Sequence, residues 1–186
     1  MFLFRYLHSG LFVYVFEGEK MISCLKVIGN LIESGVVDLR IRCLNCVGTL
    51  LHIEFEEATI DILDITERWY NTLSRDPMHM FLGICKQPFQ DLRCNAQKVI
   101  QTMASQKWGQ NELARYPGFV EYLLNRSTEH DKEGRESKFM IVKTLVESPT
   151  SQEIFGNETF LKLRRYFQEG PFFMEAESSV VFERSS

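Results

Sequence analysis

The chain has 186 residues, of which 45% are hydrophobic and 25% charged, and its formal net charge at pH 7 is −4. This composition is typical of a globular protein that can bury a sizeable core. The small acidic excess argues against nucleic acid as a partner, because phosphate-binding surfaces carry clustered Lys and Arg, and the densest basic stretch here is residues 162–165.

Residues 1–19 form an apolar and aromatic N-terminal segment. Arg5 and His8 interrupt the apolar run, and no small-residue cleavage site follows it, so a signal peptide is disfavoured. The uninterrupted part is shorter than the ~20 residues that span a bilayer. We therefore expect no membrane partner, and we interpret the segment as an end that packs on the next element. A targeting role is the alternative.

Residues 20–170 show helical periodicity, with apolar residues every three or four positions. The first predicted helix carries Met21, Leu25, Ile28 and Ile32 on one face, and Gly35 ends it. A third predicted helix runs from about residue 54 to residue 73. Its predicted apolar stripe is Phe55, Ala58, Ile62, Ile65, Trp69 and Leu73.

The C-terminal half contains further predicted helices, separated by residues that start or end a helix. Residues 126–137 have no apolar side chain, which predicts an exposed loop. Asn157 is a predicted N-cap for the last helix, and Gly170 followed by proline ends that helix. Residues 171–186 are predicted to be a loose tail. The chain is therefore predicted to be all-α.

A repeat is visible at two predicted helix starts. Asp38 and Arg40 are separated by a leucine, as are Asp91 and Arg93, at an offset of 53 residues. An Asp there meets the positive end of the helix dipole, and the Arg can bridge to an acidic residue of a neighbouring unit. HEAT and armadillo units repeat at ~40–47 residues, so the offset needs a lengthened helix or loop. The predicted fold over residues 20–170 is an armadillo/HEAT-like helical repeat solenoid.

Cys43 and Cys46 form a C-x-x-C motif, and His52 lies six residues further on. Three residues apart on a helix, the two thiols share a side among aliphatic residues, so we interpret them as packing side chains. A redox site would need a strand before it and a low-pKa thiol, and structural zinc would need two further ligands. Both remain alternatives. We predict no catalytic, cofactor-binding or metal-ligating residue. An odd count of five cysteines indicates free thiols in a reducing compartment.

Four carboxylates, those of Glu54, Glu57, Asp61 and Asp64, line one side of the third predicted helix. A metal-bundle site would pair Glu with a His three residues on, and none is present. A solvated face is one interpretation. The functional alternative is a docking surface for a basic partner, which makes these four the candidate partner-binding residues.

Three short segments have distinctive amino-acid sequences: PGFVEYL at 117–123, RSTEHDK at 126–132 and EIFGN at 153–157. With them the chain resembles the 26S proteasome non-ATPase regulatory subunit 5 family from about residue 20 to 171. Family members are considerably longer, and the resemblance covers their C-terminal portion. Residues 1–16 fall outside it. A shortened array would expose an apolar helix face at its N-terminal end unless residues 1–16 cover that end.

The resemblance implies an armadillo/HEAT solenoid that is not an enzyme and needs no cofactor. It implies an assembly chaperone that holds triple-A ATPase subunits and an associated non-ATPase subunit of the proteasome base. The expected location is the cytoplasm, with the nucleus as a second compartment. A generic helical-repeat adaptor for another client is the alternative, and a thiol enzyme built on Cys43 and Cys46 is a third hypothesis.

Overall fold

The computed structural model describes residues 18–54 and 58–174, and these ranges contain nine α-helices, one 3₁₀ turn and no strand. The all-α prediction is confirmed. The N-terminal segment 1–19 and the tail 171–186 lie almost entirely outside the described residues. No helix in the described ranges is both long and apolar enough to span a membrane. The helices are α1 (Glu19–Ser34), α2 (Val37–Leu51), α3 (Ile60–Leu73), α4 (Pro77–Ile84), α5 (Gln90–Ala104), α6 (Lys107–Arg115), α7 (Phe119–Leu124), α8 (Lys132–Glu147) and α9 (Ser151–Glu169), and the 3₁₀ turn is Arg126–Thr128.

The helices stack in two rows, as in a helical solenoid. A central row is formed by α2, α5 and α8, of which α5 packs on both of the others. A flanking row is formed by α1, α3, α6 and α9, each in contact with the next. The short helices α4 and α7 lie between the rows. Contacts are therefore made mainly between neighbouring units, which is the packing that defines solenoids.

The buried residues follow the predicted periodicity. In α1, Leu25 and Ile32 are 2% and 0% exposed, as expected for one apolar face. In α3, the predicted stripe is buried at Ile62, Ile65, Trp69 and Leu73. Ala58, predicted on the same stripe, is exposed, and Phe55 lies outside the described residues.

The third predicted helix begins later than its periodicity indicated. The hydroxyl of Thr59 accepts a hydrogen bond from the Ile62 amide at 3.4 Å, so Thr59 is the N-cap and α3 starts at Ile60. The Thr59 hydroxyl thus satisfies an amide of the first turn, and in a helix that began earlier this amide would bond to a main-chain carbonyl instead. Glu54 consequently lies in the link after α2 and not on the helix.

The prediction of an exposed loop over residues 126–137 is wrong. The segment contains the 3₁₀ turn and the start of α8, where the carboxylate of Asp131 caps the amide of Gly134 at 2.6 Å. Glu129 is only 1% exposed. A charged residue can be buried when its hydrogen-bonding capacity is met by the protein, and an apolar pattern gives no signal of that.

The last helix also differs from its prediction. It starts at Ser151, and its backbone breaks at Gly156, where φ is 76° and ψ is 160°. Glycine adopts this left-handed region without a side-chain penalty. A helical segment therefore does begin beside Asn157, as predicted, but the non-helical residue at its start is Gly156. The side-chain oxygen of Asn157 accepts a hydrogen bond from Gln152 Nε2 at 2.9 Å.

Candidate protein-binding groove

We call each central helix, with the link that leads into it and the flanking helix that follows it, a unit. The repeat extends to a third unit, that of α8, which was not predicted from the sequence. Asp38 and Asp91 are the second residues of α2 and α5, and the second residue of α8 is Glu133. The offset from Asp91 is 42 residues, which lies within the usual HEAT and armadillo period. The sequence gives little signal because this unit reads Glu-Gly-Arg, whereas the other two read Asp-Leu-Arg.

An arginine at the fourth position of each central helix binds the main chain that precedes its own helix. Each guanidinium thereby fixes the angle at which its helix follows the preceding element. The bonds are Arg40 Nε to Ile32 O at 2.7 Å, Arg93 Nη1 to Pro88 O at 2.9 Å and Arg135 Nε to Glu129 O at 3.1 Å.

Arg40 and Arg93 also reach forward to the next unit. Arg40 Nη1 donates to Gln87 Oε1 at 3.0 Å. Arg93 donates to Glu129 Oε2 at 3.1 Å and to Asp131 Oδ2 at 2.6 Å. The planar guanidinium suits two acceptors at once. These arginines therefore join successive units, through an amide in the first case and two carboxylates in the second.

A buried polar junction continues from Arg93 between α5 and α8. Gln97 Nε2 donates to Glu129 Oε1 at 2.7 Å and to the Tyr122 hydroxyl at 2.8 Å. Lys138, 1% exposed, donates to Thr128 Oγ1 at 2.7 Å. Burial, as the main cause, lowers the pKa of Lys138 to about 8. Because the junction is closed to solvent, its role is to hold the units together.

The two cysteines of the C-x-x-C motif do not share one environment. Cys43 is 8% exposed and packs in the core, whereas Cys46 is exposed, so the packing interpretation is wrong for Cys46. Desolvation raises the pKa of both thiols, and a redox thiol needs the opposite shift. The ring of His52 has Nε2 3.3 Å from Glu54 Oε1. Among the residues described, no three His, Cys, Asp or Glu side chains are placed to hold a metal ion.

The four candidate partner-binding carboxylates are not assembled on one helix. Asp61 and Asp64 are exposed on α3. Glu54 lies in the preceding link, and Glu57 lies outside the described residues. Asp61 is in the first turn, next to the positive end of the helix dipole. Docking at Asp61 and Asp64 stays a prediction.

Another feature is an open groove of about 910 Å³, lined by residues of α1, α2, α3, α4 and α6. It is lined by apolar side chains such as Pro77 and Met78 and by a polar rim. The side chain of Asp76 caps α4 by accepting from the His79 amide at 2.9 Å, and Pro77 opens that helix. His79 Nδ1 lies 3.1 Å from the Tyr116 hydroxyl. The start of α4, fixed by its Asp76 cap, therefore forms part of the groove wall.

Tyr70 lines the groove, and its hydroxyl is unusual because it is buried without a partner in the described ranges. The residue is 1% exposed, and its hydroxyl has no hydrogen-bond partner in the described part of the chain. Burial, with smaller contributions from Glu112 and Asp76, raises its pKa. The hydroxyl therefore keeps its proton. A buried donor without a partner is costly, so Tyr70 lowers the stability of the folded chain here and, being closed off, does not itself face a ligand.

The rim of the groove carries three carboxylates and two guanidiniums. Glu33 accepts from Ser74 Oγ at 2.6 Å, and Asp76 caps α4. In the described ranges, none of Glu33, Asp76 and Glu112 forms an ion pair. Arg40 and Arg75 lie on the same rim. The groove thus offers carboxylates that form no ion pair in the described ranges, two guanidiniums and an apolar floor, which together suit a segment of polypeptide.

Stacked helix pairs with an open, mixed groove define a helical-repeat protein that presents an extended surface. The chain belongs to the proteasome non-ATPase 26S subunit family, whose model matches residues 9–186. The family resemblance is thereby confirmed, and the match includes part of the apolar N-terminal segment. No solved structure matches the chain.

Relatives of the chain include three mammalian proteins and one insect protein, each named 26S proteasome non-ATPase regulatory subunit 5. The human protein is 43% identical over 166 residues, which is 89% of this chain and 33% of the relative. The bovine protein is 42% identical over the same length. The Drosophila melanogaster protein is 27% identical over 143 residues, 76% of this chain and 27% of the relative. The chain spans about a third of the length of these relatives.

Proposed function

We propose that the chain is a non-enzymatic, protein-binding portion of an assembly chaperone for the 26S proteasome base. In this proposal it holds triple-A ATPase subunits, with the associated non-ATPase base subunit, before the mature particle forms. The observation that carries the proposal is family membership together with identity of 40–43% to mammalian proteins named as regulatory subunits of the 26S proteasome. The location that we propose is the cytoplasm, with the nucleus as a second compartment.

The groove supports a binding role for a polypeptide. It is lined by residues of five helices, so a bound segment would contact several helices at once. Glu112, on α6, can pair with a basic side chain of the client, because its carboxylate forms no ion pair in the described ranges.

The experiment is a titration of the full chain with each purified triple-A subunit of the base, followed by calorimetry. The proposal expects at least one subunit to bind. Glu112→Lys should weaken that binding by about tenfold or more, the scale of a lost interfacial charge pair. The matched control is Glu153→Lys, an exposed charge reversal on α9. Absence of binding to every base subunit would refute the chaperone proposal.

The candidate carboxylates of α3 are tested in the same titration. Joint charge reversal at Asp61 and Asp64 should weaken binding if this helix face docks a basic partner, and should leave it unchanged if the face is only solvated. The residues Glu54 and Glu57 are reversed as a separate pair, because Glu54 is not on the helix.

The alternative is a generic helical-repeat adaptor for another client. It would be favoured if the base subunits fail to bind while a different purified protein binds and is weakened by Glu112→Lys. The thiol-enzyme hypothesis is tested by Cys43→Ala and Cys46→Ala. Loss of a measurable activity with unchanged folding would support an enzyme, whereas a change in stability alone at Cys43 supports packing.

A further inference from the structure

Another depression, smaller than the groove, lies between the central helices α2 and α5. Its volume is about 260 Å³, and it opens to solvent. Most of its lining is polar, and the lining includes Asn45, Gly48, Thr49, His52 and Lys98. We call this depression the α2–α5 cleft. None of its lining residues is an aspartate or a glutamate, so the lining itself carries no negative charge.

Gly48 lies inside α2, where a glycine is less favourable than an alanine. Helix packing does not require it. In the described part of the chain, a Cβ at Gly48 would meet only Val99 Cγ2, at 3.8 Å, which is an ordinary van der Waals contact. At Gly29, by contrast, a Cβ would lie 2.6 Å from the carbonyl carbon of Leu73, so close packing explains that glycine. Because Val99 belongs to α5, a side chain at Gly48 would extend between the two helices. The glycine therefore keeps the cleft open at a cost to its own helix.

The cleft presents a cation and an amide that the described residues leave without a partner. Lys98 is exposed on α5 and forms no ion pair within the described ranges. Asn45 is exposed on α2, and among the same residues only its main-chain carbonyl takes part in a side-chain hydrogen bond. The third polar group, His52, has Nε2 3.3 Å from Glu54 Oε1, so it already faces a carboxylate. The cleft thus offers an ammonium and an amide donor to an anion.

We propose that the α2–α5 cleft binds the side-chain carboxylate of an acidic residue of the client polypeptide. The ammonium of Lys98 pairs with the carboxylate, and Asn45 Nδ2 donates a second hydrogen bond to it; hydrogen bonds to ionised groups are the stronger kind. The cleft is smaller than the ~300–1,000 Å³ of typical small-molecule sites, so it suits one side chain better than a cofactor. This inference rests on the proposed function and adds the chemistry of one client residue to it.

The cleft and the groove border the same helix and select opposite charges. Arg40 of α2 lines the groove, and Leu44, four residues further on, lines the cleft. Residues four apart lie on the same side of a helix, one turn from each other. The groove offers unpaired carboxylates to a basic residue of the client, whereas the cleft offers a lysine to an acidic one. A client segment that crosses both is therefore held in one direction, because reversing it would bring like charges together.

The first test is calorimetry of the full chain with a triple-A subunit that binds the wild type. Lys98→Glu should weaken that binding by about tenfold or more, because a charge pair becomes a contact between like charges. The matched control is Lys107→Glu, an exposed lysine of α6 that lines neither depression. It should change the affinity by less than about twofold, as expected for an isolated surface charge. Equal affinities of the two variants would overturn the cleft proposal and leave the chaperone proposal intact, since the latter needs only wild-type binding.

Substitutions at Gly48 test the cleft without changing a charge. Gly48→Leu fills the cleft and should weaken the same binding several-fold. Gly48→Ala adds one carbon at an ordinary contact distance, so it should raise the urea midpoint by improving the helix. Urea unfolding of both variants shows that they fold. A folded Gly48→Leu variant that binds as tightly as the wild type would overturn the proposal.

A third measurement decides the question even if no base subunit binds, which by itself would refute only the chaperone proposal. The isotope-labelled full chain is titrated with hexaglutamate, and its NMR spectrum is followed. The side-chain amide of Asn45 and the main-chain amide of Gly48 should shift, whereas hexaglutamine should leave them unchanged and Lys98→Glu should abolish the shifts. Absence of shifts at these two residues would overturn the proposal. Shifts with inorganic phosphate but none with hexaglutamate would also overturn it, because the cleft would then be a phosphate site.

Discussion

Arg93 Nη2 donates to Asp131 Oδ2 at 2.6 Å, across 38 residues of sequence. The other oxygen of the same carboxylate caps the first turn of α8 at the Gly134 amide, also at 2.6 Å. One aspartate therefore both starts α8 and receives the arginine of the preceding unit. This arrangement couples the position of a helix start to the stacking of two units.

Arg93→Met should destabilise the chain strongly. The substitution leaves Glu129, 1% exposed, without its cation. Breaking a buried pair from one side costs about 3–5 kcal/mol. The matched variant is Arg40→Met, whose partners are neutral, and it should cost only about 1–2 kcal/mol. Urea unfolding followed by circular dichroism measures both. Equal losses would show that the two carboxylates add nothing to the role of Arg93.

Gly29→Ala should disrupt the contact between α1 and α3. A Cβ at Gly29 would overlap the Leu73 carbonyl, with its carbon only 2.6 Å away. Backbone atoms cannot turn aside as a side chain can, so we expect a loss of about 1–3 kcal/mol or more. The control is Gly83→Ala in α4, where a Cβ meets nothing within 4 Å. That change should stabilise the helix by about 0.5–1 kcal/mol. Thermal unfolding measures both variants. The prediction is contradicted if both are as stable as the wild type.

Lys138 should give the chain a characteristic dependence of stability on pH. Its pKa is lowered from 10.5 to about 8 in the folded state. Between these values the unfolded chain binds the proton more readily, so this group makes the free energy of unfolding rise with pH. Lys138→Met lacks the group. The stability of the variant minus that of the wild type should therefore fall across this window, by at most about 3 kcal/mol.

The difference in stability between Lys138→Met and the wild type separates the effect of Lys138 from that of the buried cysteines. Burial raises the pKa of Cys85 to about 12 and that of Cys94 to about 11, which lowers stability as the pH rises above the ordinary thiol pKa. Those contributions are common to both proteins and cancel. Urea unfolding on either side of the window measures the difference, and a constant value would refute the assignment.

Tyr70→Phe should separate stability from client binding. The change removes a buried hydroxyl with no partner in the described residues, so the free energy of unfolding should stay unchanged or rise by about 1 kcal/mol. Affinity for the client should stay unchanged, because the hydroxyl has no accessible surface through which a client could reach it. The control is Tyr122→Phe, which removes the acceptor of Gln97 and should destabilise. A destabilised Tyr70→Phe variant would mean that the hydroxyl is already satisfied in the folded chain.

Several features of the fold followed from local sequence. The apolar stripe of α3 and the buried face of α1 were predicted because a helix that packs on one side needs apolar residues every three or four positions. The helix starts at the two Asp-Leu-Arg repeats are also local signals, because an Asp in the first turn meets the positive end of the helix dipole. The third unit is not apparent from the sequence because Glu133 and Gly134 replace the aspartate and the leucine that precede the arginine in the other two units.

The sequence by itself determined the all-α class and the periodic helices, because these depend on neighbours within a few turns of the chain. It also determined the family, because distinctive short sequences can be read without the structure. Only the tertiary structure decided which polar side chains are inside. Glu129 and Lys138 are buried because Arg93, Gln97 and Thr128 supply their hydrogen bonds. Cys46 is exposed although Cys43, on the same helix, is in the core. Burial of a charge and exposure of a thiol both depend on what a distant element places against them, and no local pattern encodes that.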